Sequence, residues 1–259
     1  NTEKKKQVLP MVSKYYPYEN NLHSPVGEFI FLTWPSQGMF QYKHGESEDV
    51  SKMANMVAAF MIKLAYFVKN TKNPLFSDGW EPKIVFHSQS MGCKILLTAV
   101  ERLNFLENAN TLKKDFLNRF FHRIILTGAD IDLDSMKNMP EENGEEIHQL
   151  AERVILFYNK HDRALWISRF IFFSGKRLGR NLNDTTMNEL PKNIDLIEIE
   201  GNGEDFYGHN YFSLDNHVAN FFKSVLKNSL VENLALNSGR IYHFNVPENS
   251  HTITEMHIS

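Results

Sequence analysis

A single cysteine in 259 residues, Cys93, excludes an intramolecular disulfide framework and accords with a reducing compartment or with an unstapled secreted enzyme. Excess charge is also lacking: 28 basic residues face 31 acidic ones, a net −3 at pH 7. With no basic stripe interleaved with aromatics, neither nucleic acid nor an anionic membrane is the expected partner. No run of 18 apolar residues occurs, so no transmembrane segment is expected. The start, "NTEKKKQVLP", has neither a methionine nor the apolar core of a signal peptide. The chain therefore reads as a fragment whose true N-terminus lies elsewhere, and its location stays open, with the cytoplasm favoured. There is no H-E-x-x-H, no C-x-x-C and no internal repeat. His209 and His217 are too far apart to ligate as a helical pair, so neither a metal nor a cofactor is expected.

What is present is 42% hydrophobic content, enough for one sizeable core and one main domain at this length. Short apolar runs rich in Ile, Val and Phe read as buried strands: "EFIFLTW" (28–34), "KIVFH" (83–87), "HRIILTG" (122–128), "RVILFYN" (153–159) and "IDLIEIE" (194–200). Helical spacing of apolar residues predicts helices over 51–69 and 92–106, with further helices over 110–121, 164–173 and 213–228. Strands alternating with helices imply parallel crossovers and a doubly wound, mostly parallel α/β sheet flanked by helices. Residues 135–149 and 174–193 are polar, carry Pro and Gly, and read as loops. Residues 1–228 are expected to form the domain. The tail 229–259 is expected to add an edge strand at "RIYHFNV" and then a mobile end.

The stretch "IVFHSQSMGCKILL" (84–97) breaks an apolar strand at Ser88-Gln89-Ser90-Met91-Gly92 and resumes at helical spacing. A serine on a tight strand-turn-helix elbow projects from the backbone, and the following helix offers its N-terminal amides to developing negative charge. Gly92 supplies one of the small neighbours that such a turn needs; Ser88 stands where the other glycine would be. A capped helix start is the bland alternative. A serine hydroxyl is a weak nucleophile without a base, so the elbow reading demands a histidine and a carboxylate later in the chain. Asp162 follows the strand 153–159, and His209 sits in a Gly-rich loop after the strand 194–200. The order Ser90, Asp162, His209 is the order of an α/β-hydrolase triad. Asp162 could instead cap the helix that starts near Ala164, with Asp130 of "ILTGADIDLD" as the alternative acid, and His209 could be an ordinary loop histidine. His161 reads as solvated and His87 as core. Cys93, in the first turn of an apolar helix, reads as a small buried residue rather than a nucleophile.

Together the motifs "FLTWPSQG" (31–38), "HSQSMG" (87–92), "ILTGADIDLD" (125–134), "YNKHDRALWISR" (158–169), "KRLG" (176–179) and "GHNYF" (208–212) resemble the α/β-hydrolase family labelled domain of unknown function nine hundred, whose members are described as esterase/lipase-like. The resemblance spans roughly residues 28 to 213. It implies Ser90 as nucleophile, His209 as base and Asp162 as acid, with Met91, Gln89, Trp34 and Asp130 around the oxyanion and substrate. The family elbow usually reads A-H-S-M-G, so Ser88 and Gln89 are departures. Nothing upstream of Glu28 matches the family's His-Gly strand, whose loop would supply a second oxyanion amide. "KKKQVLPMVSKYY" matches better the amphipathic helix that follows that loop. The segment alone is therefore expected to be poorly active, unless "RIYHFNV" or "KQVLPM" fills the vacant place in the sheet.

The expected function is hydrolysis of a small-molecule carboxylic ester by a Ser-Asp-His triad. The other readings are a catalytically silent binding protein of the same fold, and an acyltransferase or thioesterase on the same triad. "WISRFIFF" (166–173) hints at an acyl pocket or cap, or else at a buried helix.

Overall fold

The computed structural model describes residues 30, 32, 42–70, 83–107, 117–132, 147–172, 176–180, 182, 190–200, 208–209, 218, 222, 241–245 and 257–258. The strand expected at 28–34, Trp34 and the Trp-Pro-Ser loop lie outside these residues, except for Ile30 and Leu32.

The elements follow in the order α1 (Tyr42–Asn70), β1 (Val85–Gln89), α2 (Met91–Glu107), β2 (Phe121–Thr127), α3 (Ile147–Leu150), β3 (Ala151–Tyr158), α4 (Arg163–Phe172), β4 (Ile194–Glu200), β5 (Ile241–Asn245) and β6 (His257–Ile258). The strands form one sheet in sequence order, β1-β2-β3-β4-β5-β6. The first five run parallel and β6 is antiparallel. The expected α/β layering is present. β5, the strand expected at "RIYHFNV", extends the sheet beyond β4. Two residues of the end expected to be mobile, His257–Ile258, pair on its outer side.

Two details differ from the sequence reading. The loop expected over 135–149 ends in the short helix α3, which runs directly into β3. Of the helix expected over 110–121, Leu117 is helical among the described residues, and Phe121 instead opens β2. Of the helix expected over 213–228, only Val218 and Phe222 are described, and both are helical and buried.

β2, β3 and β4 are nearly all buried because both faces of a parallel sheet are covered, which is why they read as largely apolar runs. α1 packs along α2, with Ala54, Ala58, Met61 and Ala65 fully buried against Leu96, Val100 and Leu103. The small alanines let the helices approach closely, and each large apolar side chain buried here contributes about 1.5–3 kcal/mol. Asp49–Lys69 within α1, mean hydropathy 1.2, is long and apolar enough by composition to cross a membrane. Its buried stripe packs as that of a core helix. Asp195 on β4 forms a bidentate ion pair with Arg153 on β3, Nη2 to Oδ1 at 2.6 Å, tying the two neighbouring strands.

The register sets up the site. Gln89 pairs with Thr127, and Thr127 with Phe157. The ends of β1, β2 and β3 therefore line up, and the turns that follow them emerge along one edge of the sheet.

Candidate active site

Ser90 occupies the turn between β1 and α2 with φ 52. This left-handed conformation is costly for a residue with a Cβ, about 1–3 kcal/mol, and persists where the surroundings over-determine it. Here they do: the Ser90 N–H donates to Thr127 O at 3.0 Å, and its carbonyl accepts from Cys93 N at 3.0 Å and Asp130 N at 3.3 Å. Ser88, in the place of the missing glycine, is buried and fits, and its carbonyl accepts from the Thr127 hydroxyl at 3.4 Å. The tight turn is thus held by the neighbouring strand β2.

Ser90, His209 and Asp162 come together in one hydrogen-bonded row. The His209 ring stands between the other two, Nε2 at 2.9 Å from Ser90 Oγ and Nδ1 at 2.7 Å from Asp162 Oδ2. With Nδ1 protonated, the ring donates to the carboxylate and its free Nε2 accepts from the serine hydroxyl. Asp162 is fully buried, and desolvation raises its carboxyl pKa above the ordinary carboxylate range, opposed by the hydrogen bond and charge of His209. Its second oxygen, Oδ1, accepts the Leu165 N–H at 2.8 Å in the first turn of α4. The two readings of Asp162, helix cap and partner of the histidine, are both true, one for each oxygen.

Three residues not singled out by the sequence reading hold this row. Gly128, after β2, has φ 50; a Cβ on it would lie 3.2 Å from His209 Cε1 and 3.7 Å from Asp162 Oδ2. Asn159 is fully buried and joins the acid loop to the histidine loop. Its Oδ1 accepts from His161 N at 2.8 Å, its Nδ2 donates to Gly208 O at 3.4 Å, and its carbonyl accepts from Asp162 N at 3.1 Å. Gly179 belongs to a strap, residues 177–180, laid across the ends of β2 and β3. Its N–H donates to Ala129 O and its carbonyl accepts from Asn159 N, both at 3.0 Å. The approach is so close that a Cβ would sit 2.4 Å from Ala129 N. The motif "KRLG" was visible in sequence, but only a non-local contact explains its glycine.

The remaining candidates are not members of this row. Asp130 is buried, pairs with Arg177 Nε at 3.1 Å and accepts from Ser168 Oγ at 2.8 and 2.9 Å. It thereby ties β2 to α4 and the strap. Met91 opens α2, half-buried, so its amide belongs to the free N-terminal turn of that helix. Gln89, also half-buried, ends β1. His87 packs on Phe222 at 5.1 Å and bonds Thr127 Oγ1 at 3.0 Å; burial pushes its imidazole down to about 4. Cys93 is fully buried, donates to Ser88 O at 3.3 Å, and burial pushes its thiol up to about 12, the signature of a packing residue. His161 is exposed. Among the described residues no group of three or more His, Cys, Asp or Glu is placed to hold a metal ion.

A family model described as alpha/beta hydrolase of unknown function (DUF900) matches residues 19–228. No match was found among curated proteins or among solved structures.

Proposed function

The chain belongs to this alpha/beta hydrolase family of unknown function, and from that premise we propose that it is a serine hydrolase that cleaves carboxylic esters. His209 Nε2 takes the proton of Ser90 as Oγ attacks the acyl carbon, while Asp162 holds Nδ1–H and stabilises the imidazolium that forms. The amide of Met91, at the head of α2, is aimed where the oxyanion develops. Collapse of the tetrahedral species expels the alcohol, which receives the proton from Nε2. Water, deprotonated by the same nitrogen, then releases the acid and restores Ser90.

The observation that carries this reading is the His209 ring, within hydrogen-bond distance of both Ser90 Oγ and Asp162 Oδ2 across 119 and 47 residues of sequence. Buried helix caps and loop histidines have no need of such an arrangement. The test is labelling with a fluorophosphonate, which reacts with activated serines. Wild type should label, and Ser90→Ala should not. Absent labelling of the folded wild type would replace the reading with a catalytically silent binding protein, and labelling that survives in Ser90→Ala would place the nucleophile elsewhere.

A further inference from the structure

Helix α4 has two unlike faces. On one, Leu165 and Ser168 are buried, with Ser168 bonded to Asp130. On the other, Trp166 and Phe170 are 47% and 58% exposed and meet edge-to-face at 4.6 Å. Arg163 and Arg169 are exposed as well. At 100° per residue, Arg163, Phe170, Trp166 and Arg169 follow one another around an arc of about 120°, so the aromatic pair is flanked by an arginine on each side. The surrounding sequence is equally one-sided. Residues 160–180 contain six Lys or Arg and one acid, the buried Asp162, in a chain whose net charge is −3; of the six, Arg177 is buried against Asp130 and Lys160 pairs with Glu198 at 2.8 Å.

We propose that the outer face of α4 docks on an anionic lipid surface. A Trp and a Phe set between arginines on a rigid helix is the composition of an interfacial helix: the rings enter the boundary between headgroups and acyl chains, and the guanidinium groups pair with lipid phosphates and carboxylates. Balanced whole-chain charge conceals this surface, because the acidic residues lie elsewhere in the sequence. The same helix is capped by Asp162, and docking on its outer face uses none of the site's reacting atoms. The inference goes beyond ester hydrolysis and does not depend on it.

Co-sedimentation of the full chain with vesicles of mixed phosphatidylcholine and phosphatidylserine, against phosphatidylcholine alone, tests it. Binding should require the anionic lipid and weaken with salt. Arg169→Glu, a change of two charges, should weaken it by roughly 25-fold at about fivefold per charge. Trp166→Gln with Phe170→Gln should weaken it by about tenfold or more. Both variants should keep the wild-type melting temperature, and fluorophosphonate labelling without vesicles should be unchanged. Trp166→Phe should keep binding while losing the fluorescence change on lipid addition. Equal binding to neutral vesicles, or no loss in the aromatic double variant, would overturn the proposal. So would absent vesicle binding combined with Trp166-dependent self-association, which would make the face an interface between copies.

Discussion

Replacing Asp162 by Asn separates the two duties of this side chain. In the native protein both carboxylate oxygens accept, Oδ1 from Leu165 N–H at 2.8 Å and Oδ2 from His209 Nδ1–H at 2.7 Å. Asparagine has one acceptor and one donor. If its oxygen faces Leu165, its amide group points a donor at Nδ1, which must then accept, and the imidazole proton moves to Nε2. The ring can no longer take the Ser90 proton. If the amide is turned round, two donors face each other in a fully buried place, at a cost of about 1–3 kcal/mol. The first arrangement wins. Because Asn caps helices as well as Asp, stability should fall by less than about 1 kcal/mol, while kcat on a nitrophenyl ester should fall by about 10³–10⁴-fold. Asp162→Ala should also lose stability, by about 1–3 kcal/mol, because the Leu165 amide is stranded. pH adds a second signature. Burial raises the Asp162 pKa, so the folded state binds this proton more tightly than the unfolded chain. The stability that the group contributes is therefore present below 3.8 and is lost as pH rises through the folded value. Asp162→Asn should accordingly gain stability relative to wild type over that rise. Turnover and thermal melts across pH check both points. An Asn variant within about tenfold of wild type in kcat would refute the tautomer argument.

Gly128→Ala puts a Cβ at φ 50 and 3.2 Å from His209 Cε1. It should lose about 1–2 kcal/mol and, by displacing the ring a few tenths of an ångström, about tenfold in kcat; unchanged ester turnover would contradict it. Gly179→Ala drives a Cβ to 2.4 Å from Ala129 N, a backbone atom, and should cost about 1–3 kcal/mol in chemical denaturation. Cys93, with its thiol near 12, should resist Ellman's reagent in the native state and react once unfolded. Reaction at the rate of a free thiol before unfolding would show that the core around β1 is open.

Local chemistry made much of this legible. β4 begins and ends where the run "IDLIEIE" does: Ile194, Leu196, Ile197 and Ile199 are buried, and the buried acids among them, Asp195 and Glu198, are held by Arg153 and Tyr158. The elbow and the order of Ser90, Asp162 and His209 could be read because each follows a strand. Asn159 and Gly179 could not: their partners, Gly208 and Ala129, lie 49 and 50 residues away, and no periodicity encodes a contact between loops. The first turns of α1 were missed for another reason. "YKHGESEDV" is polar and offers no apolar spacing to count. Asp130 was placed near the site on its position after β2, but its partners Arg177 and Ser168 come from two separate later segments.

The family match ends at residue 228, yet the sheet continues: β5, Ile241–Asn245, occupies the outer edge of β4 along five register pairs. A strand such as β4, left with a bare edge, presents a row of unpaired backbone groups that is a template for any other chain with unpaired amides. Among the described residues, the two-residue β6 ends the row, with too short an edge to recruit a partner easily. A gene trimmed at the family boundary should therefore yield protein that forms inclusion bodies during expression, whatever the state of its catalytic residues. For this protein, the unit to clone includes β5, which lies past the end of the sequence similarity.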